Sequence, residues 1–169
     1  MIKPCVYFLG IGGIGMSALA QYFLEKGHRV AGYDREASPL TLKLAAMGAD
    51  IHHQEGVSNI PKDFTNPSQT TVIRTPAIPS NSDELRYFEN HGFEILKRAQ
   101  VLGALSREMV CIAVAGTHGK TTTSAILTHL LRTSGKKITA FLGGVAHNFD
   151  SNYLCEGNEF MVVEADEFD

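Results

Sequence analysis

Short, continuous apolar runs alternate along this chain with stretches whose apolar residues recur every three or four positions. Cys5-Val6-Tyr7-Phe8-Leu9 is such a run, as expected of a strand covered on both faces. Behind it Met16, Leu19, Ala20 and Phe23 fall at i, i+3, i+4 and i+7, one buried helical stripe that stops at Gly27. Residues 29–33 read as a second strand ending at Asp34, and Leu40, Leu44 and Met47 mark a helix closed by Gly48. A short strand near Ile51 is followed by a polar loop through Pro61 and Pro67. Residues 70–74 form the next strand, cut off by Thr75-Pro76-Ala77-Ile78-Pro79, where two prolines impose extended or turn geometry. Asn81 with Glu84 three residues on has the form of a capping box, opening a helix that ends at His91-Gly92. A strand over 93–96 and a helix over 98–107, with Val101, Leu102 and Leu105 on one side, lead to a second series: strand 110–115, helix 121–134 and strand 160–163. This alternation, with glycines at strand ends, predicts an α/β protein with a Rossmann-like, doubly wound parallel sheet over 1–108 and the beginning of a second domain over 109–169.

Two glycine loops carry the candidate chemistry. Gly10-Ile11-Gly12-Gly13-Ile14-Gly15 follows the first strand and opens the first helix, a G-x-G-x-x-G with Asp34 nineteen residues after Gly15. Such a loop brings backbone N–H groups and a helix N-terminus to a diphosphate, and the acid suits a ribose. It does not say which diphosphate, and the same glycines also serve close helix–sheet packing with no ligand. The second loop is Ala115-Gly116-Thr117-His118-Gly119-Lys120-Thr121-Thr122-Thr123. Its glycines fold the backbone around an anion, Lys120 adds a full positive charge to the helix N-terminus, and the Thr121 hydroxyl is placed to ligate Mg²⁺. The general G-x-x-x-x-G-K-[ST] pattern needs glycine at 114, where this chain has Val114; its first glycine comes at Gly116. The plain alternative is a glycine-rich turn with a solvated lysine. Further on, an apolar strand runs into Glu164-Ala165-Asp166-Glu167-Phe168-Asp169, acids at a strand's carboxyl end that suit Mg²⁺ or form a solvated loop. A nicotinamide-dependent dehydrogenase does not ordinarily follow its nucleotide domain with a phosphate loop. The pair of loops favours an enzyme that holds a nucleotide-diphosphate substrate in one domain and ATP in the next.

Composition narrows this little further. The 169 residues are 44% hydrophobic, enough for a real core, and the net charge of −3 with pI near 6.1 gives no nucleic-acid footprint. Three cysteines, Cys5 and Cys111 in apolar runs and Cys155 expected in a loop, form no C-x-x-C and argue against a disulfide framework or zinc site, as in a reducing cytosol. The apolar run 5–9 is too short for a signal or membrane segment. Six histidines (His28, His52, His53, His91, His129 and His147) show no metal-ligand spacing and read as surface or packing residues; His118 stands apart, inside the phosphate loop.

Gly10-Ile-Gly-Gly-Ile-Gly-Met-Ser, Thr75-Pro-Ala-Ile-Pro, Lys97-Arg98-Ala99, Ala115-Gly-Thr-His-Gly-Lys-Thr-Thr-Thr and Glu164-Ala-Asp-Glu together resemble the ATP-dependent Mur ligases of peptidoglycan synthesis, over essentially the whole chain. The family's Ala-Gly-Thr-X-Gly-Lys-Thr loop accounts for the absent glycine at 114, and His at X is similar to the alanine-adding branch and to its muropeptide-recycling relative. The recycling branch usually carries a first loop like G-I-C-G-T-x-M-G-G, unlike the one here. The resemblance implies that the first domain holds UDP-N-acetylmuramate. Gly10, Gly12, Gly13, Ile14, Gly15 and Met16 would lie at its diphosphate, with Asp34, Thr75, Pro76, Ala77, Ile78 and Arg98 as neighbours. It implies ATP on Gly116, Thr117, His118, Gly119, Lys120, Thr121 and Thr122, catalytic roles for Lys120 and His118, and Mg²⁺ on Thr121 and Glu164. The implied reaction phosphorylates the lactyl carboxylate from ATP, after which the amine of L-alanine displaces phosphate, in the bacterial cytoplasm. Mur ligases have three domains, so the resemblance implies a fragment that binds the UDP sugar without turnover. An L-alanyl-γ-D-glutamyl-meso-diaminopimelate-adding ligase, an NAD-dependent oxidoreductase and a non-catalytic nucleotide-sugar module are the alternatives.

Overall fold

The computed structural model describes residues 2–165. The chain divides into two compact units, Met1–Arg98 and Ala99–Asp169. The division falls ten residues before the boundary expected near Glu108.

In the first unit, strands β1 (Cys5–Leu9), β2 (Arg29–Tyr33), β3 (Asp50–His52), β4 (Thr70–Arg74) and β5 (Glu94–Lys97) form one parallel sheet in the order β3-β2-β1-β4-β5. Helices α1 (Ile14–Glu25), α2 (Pro39–Ala46) and α3 (Asp83–Asn90) connect them. Every residue of β1 is buried, and its side chains alternate between two cores. Cys5, Tyr7 and Leu9 pack with Phe64, Val72, Leu85, Phe88 and Phe93 on one face. On the other, Phe8 meets Phe23 of α1 at a ring separation of 6.3 Å. Each such aromatic contributes about 1.5–3 kcal/mol by burial, which explains why the apolar run of β1 is uninterrupted. The strand order reverses between β1 and β4, so the loops after these two strands part and leave a crevice at their carboxyl ends.

Helix starts differ from the sequence reading in one informative place. The cap of α3 is Ser82, whose Oγ accepts the Leu85 N–H at 3.3 Å, rather than Asn81. Glu84 does not return to the helix start; its carboxylate is buried against Tyr7 and Gly56. A capping box that the sequence reading passed over opens α2, where Ser38 and Thr41 bond each other's backbone N–H groups.

The second unit contains most of α4 (Arg98–Leu105), then β6 (Val110–Val114), α5 (Lys120–Thr133), β7 (Ile138–Ala146), β8 (Ser151–Cys155) and β9 (Phe160–Glu164). Its sheet runs β6-β9-β7-β8, with β9 parallel to both neighbours and β8 antiparallel to β7. The β7–β8 hairpin was not foreseen, and Cys155, expected in a loop, ends β8. The hairpin's register shifts between Phe141 and Ala146, next to Gly143-Gly144, which breaks the simple period-two pattern that marks a strand.

Candidate functional sites

The first site is a cleft of about 560 Å³ in the first unit, at the crevice between the loops that follow β1 and β4. Gly10, Gly12, Gly13, Asp34, Thr75, Ala77 and Ile78 line it. The glycine loop is fixed at two points: Gly10 N–H donates to the Tyr33 carbonyl at 2.8 Å and Gly12 N–H to Asp34 Oδ2 at 2.7 Å. Asp34 Oδ1 also accepts the Glu36 N–H at 3.2 Å, so both oxygens of this carboxylate brace backbone. Gly10 sits at φ +86 beneath the methyl group of Thr75, where a side chain is excluded by both conformation and space. A Cβ on Gly12 would lie 2.8 Å from both Asp34 Oδ2 and Thr41 Cγ2. Gly13 is the N-cap of α1; no side chain caps this helix and its first turn holds no acid, as suits an anion site.

The other residues named for this site lie differently. Pro76 and Ile14 are exposed, Met16 is buried in the core at 3% exposure so that only its backbone can face a ligand, and the Arg98 guanidinium lies directly against Gly15. Tyr33, Arg35, Glu36, Ser38, Glu55, Pro79 and Ser82 line the cleft without having been singled out. They come from the end of β2 and from the loops after β2, β3 and β4, and no spacing in the sequence links them. Burial pushes the Tyr33 phenol up, with Glu55 and Glu84 adding to it.

The second site lies at the carboxyl ends of β6, β9 and β7. Gly116 at φ +143 and Gly119 at φ +78 shape the loop, and Lys120 is the first residue of α5. Lys120 Nζ donates to the Gly116 carbonyl at 2.7 Å, closing the loop on itself. Thr117, His118 and Thr122 are exposed around it. The Thr121 hydroxyl donates to Glu164 Oε2 at 3.1 Å, and Gly143 N–H donates to Glu164 Oε1 at 2.7 Å. Glu164 is 5% exposed, a carboxylate held at the end of a central strand by one hydroxyl and one amide. Gly143 is a neighbour of this candidate site that sequence reasoning missed: a Cβ there would strike the Glu164 carboxylate. Asp166, Glu167 and Asp169, the other acids considered for Mg²⁺, lie outside the described residues. Among the described residues, no three His, Cys, Asp or Glu side chains cluster as a metal site. The chemistry of the pair still fits a hard cation beside phosphates, since Thr121 and Glu164 offer adjacent oxygen donors.

Comparison with known proteins places these sites in context. The chain is 53% identical over 165 residues to a UDP-N-acetylmuramate–L-alanine ligase of Parabacteroides distasonis, covering 97% of this chain and 36% of that protein. It therefore spans about a third of the length of the curated relatives it matches. Among solved structures, it is similar to the UDP-N-acetylmuramate:L-alanyl-γ-D-glutamyl-meso-diaminopimelate ligase of Neisseria meningitides, with TM-score 0.88 and 27% identity over 100% of this chain and 54% of that one. The UDP-N-acetylmuramate-alanine ligase of Thermotoga maritima matches with TM-score 0.81 and 32% identity, over 94% of this chain and 36% of that one. The sequence profile described as Mur ligase family, catalytic domain, matches residues 5–109. That span takes in the first cleft and stops before the phosphate loop, so its description does not rest on the loop in this chain. It does cover more than half of the residues, and the chain belongs to the Mur ligase family.

Proposed function

We propose that this chain serves the ATP-dependent joining of L-alanine to UDP-N-acetylmuramate, its first unit taking the UDP sugar and its second the ATP phosphates. The observation that carries the reading is the phosphate loop, with Lys120 at the start of α5 and Thr121 bonded to the buried Glu164. Nicotinamide chemistry has no use for that arrangement. ATP with Mg²⁺, when bound, supplies the phosphoryl group that activates the lactyl carboxylate. Lys120 and the N-terminus of α5 concentrate positive charge where the phosphates would sit, and Thr121 with Glu164 would hold the metal. His118, exposed in the loop, is the side chain to which this reading gives a further role in the transfer. In the first unit the glycine loop offers backbone donors and an uncapped helix start to the UDP diphosphate. Asp34 Oδ2 holds that loop at Gly12, while Oδ1 braces the backbone at Glu36. A cytoplasmic setting accords with these substrates, and no described helix is long and apolar enough to cross a membrane.

The names of the relatives share UDP-N-acetylmuramate and differ in the amine added. The higher TM-score to the tripeptide-adding enzyme supports a second reading, in which L-alanyl-γ-D-glutamyl-meso-diaminopimelate replaces L-alanine. Sequence identity, 53% against 27%, favours alanine. Thermal unfolding tests the shared part. UDP-N-acetylmuramate and MgATP should each raise the melting temperature, a ligand at a hundred times its Kd adding about 2.7 kcal/mol. Stabilisation by NAD alone would contradict the proposal.

A further inference from the structure

Behind the wall of the first cleft lies a chain of three titratable side chains, two buried and His52 half-buried, that the proposed chemistry does not use. Tyr7 of β1 and Glu84 of α3 are both 0% exposed. Tyr7 Oη lies 2.7 Å from Glu84 Oε2 and 2.7 Å from Nε2 of His52, the last residue of β3. His52 Nδ1 lies 2.9 Å from the Gln54 carbonyl oxygen, and Gly56 N–H donates to Glu84 Oε1 at 3.0 Å.

Each contact along this line needs a hydrogen between its heavy atoms. The Gln54 carbonyl only accepts, so Nδ1 carries a hydrogen. In a neutral imidazole Nε2 is then bare and must take the hydroxyl hydrogen of Tyr7. An ionised Glu84 would be left facing an oxygen lone pair at 2.7 Å with nothing between them. Ionised Glu84, neutral Tyr7 and neutral His52 supply two hydrogens for three contacts. One more proton satisfies all three, in either of two ways. Glu84 carries it and donates to Tyr7, which donates to Nε2. Alternatively, His52 carries it and donates to Tyr7, which donates to Glu84, leaving an ion pair at 3.6 Å. Hydrogen shifts along the same line interconvert the two.

We propose that Glu84, Tyr7 and His52 retain this third proton at neutral pH and that the protonated network positions the wall of the cleft, an inference that rests on the UDP-sugar reading above. His52 anchors Gln54 and Glu84 anchors Gly56. Between them Glu55 lines the cleft and accepts the Asp83 N–H at 3.0 Å. Ser82, also on the cleft, caps the same helix two residues before Glu84. Tyr33 on the cleft wall has its ring 5.5 Å from that of His52. Loss of the proton opens one of the three contacts and loosens the turn over 54–56.

The surrounding charges favour retention. Burial is the first cause that raises the Glu84 carboxyl, with Glu55 adding to it, against hydrogen bonds from Tyr7 and Gly56 and the attraction of His52. The Tyr7 phenol is pushed far up by burial and then by Glu84, with the charge of Asp50 on β3 adding to it, so its hydroxyl stays protonated. Glu55, Glu84 and Asp34 act on Tyr33, with Arg35 as the opposing cation. The three residues are positioning groups; none is required to touch the substrate.

Nuclear magnetic resonance of the whole 169-residue chain, with labelled histidine nitrogens and glutamate carboxyl carbons, tests the proton. At pH 7 either His52 shows both ring nitrogens protonated or the Glu84 carboxyl shows the protonated shift. His52 neutral together with Glu84 ionised overturns the inference, whether or not any variant folds. Calorimetry with UDP-N-acetylmuramate across pH tests the positioning. Wild-type affinity should fall several-fold as the proton titrates. Tyr7→Phe should bind about 3- to 10-fold more weakly at pH 7 and lack that step. Phe88→Leu, a core change on the helix that carries Glu84, should lower the melting temperature and keep the step. A step retained in Tyr7→Phe overturns the positioning role. Failure of the wild type to bind, with the proton present in its spectrum, sinks the substrate reading and supports the proton assignment.

Discussion

Glu164 Oε2 accepts the Thr121 hydroxyl at 3.1 Å, which ties the start of α5 to the end of β9. The other oxygen of the same carboxylate accepts Gly143 N–H from β7, so three elements of the second unit converge on one buried acid. Glu164→Ala leaves the Gly143 amide without its acceptor, at a cost of about 1–3 kcal/mol. It should also abolish the Mg²⁺-dependent part of ATP binding. Titrations with ATP in the presence and absence of Mg²⁺ separate the two effects, and an unchanged Mg²⁺ dependence would remove Glu164 from the metal site.

Lys120 bonds the Gly116 carbonyl at 2.7 Å, an internal contact that a phosphate would replace. Lys120→Ala should weaken MgATP binding at least about tenfold, or about 1.4 kcal/mol, and leave the UDP-sugar affinity unchanged. Equal loss of both ligands would mean that the substitution acts through the fold rather than through the phosphates.

The glycine loop of the first unit makes a sharper steric prediction. Gly12→Ala places a methyl group 2.8 Å from Asp34 Oδ2 and from Thr41 Cγ2, so the loop or its brace must shift. Stability should fall by about 1–3 kcal/mol, with roughly tenfold weaker UDP-sugar binding. Gly103→Ala is the matched control, since an added Cβ meets nothing within 4 Å inside α4. There alanine should be neutral or stabilise by about 0.5–1 kcal/mol. Denaturant melts of the two variants check both signs.

Glu84 gives the pH dependence. Its folded carboxyl is raised above 4.5, chiefly by burial, so the folded chain holds this proton more tightly than the unfolded chain. The resulting stability is fully present below the unfolded value and is lost as pH rises through the raised folded value. Glu84→Gln should therefore flatten the decline in stability from about pH 4.5 upward. Urea melts at closely spaced pH values would show it; an unaltered slope would mean that Glu84 does not titrate in this window.

Much of this was legible because the relevant signals are local. The uninterrupted run Cys5–Leu9, the stripe Met16, Leu19, Ala20 and Phe23, and the glycines opening α1 and α5 each follow from a few adjacent residues. What escaped depends on contacts distant in sequence. Glu84 looks like a helix-start acid by spacing, yet Tyr7, seventy-seven positions away, holds it in the core. The β7–β8 hairpin was hidden by Gly143-Gly144; Glu164 leaves no room for a side chain at Gly143, and Thr121 crowds Gly144. Ser82, Glu55 and Tyr33 meet at the first cleft only through the topology of the sheet.

Calorimetric titration of this chain with UDP-N-acetylmuramate, with NAD as the competing ligand, distinguishes the possible occupants of that cleft. The expected result is saturable binding of the UDP sugar that is roughly tenfold weaker in Gly12→Ala and undisturbed by NAD. Binding of NAD with none of the UDP sugar would contradict the assignment of the glycine loop and return the first unit to nicotinamide chemistry.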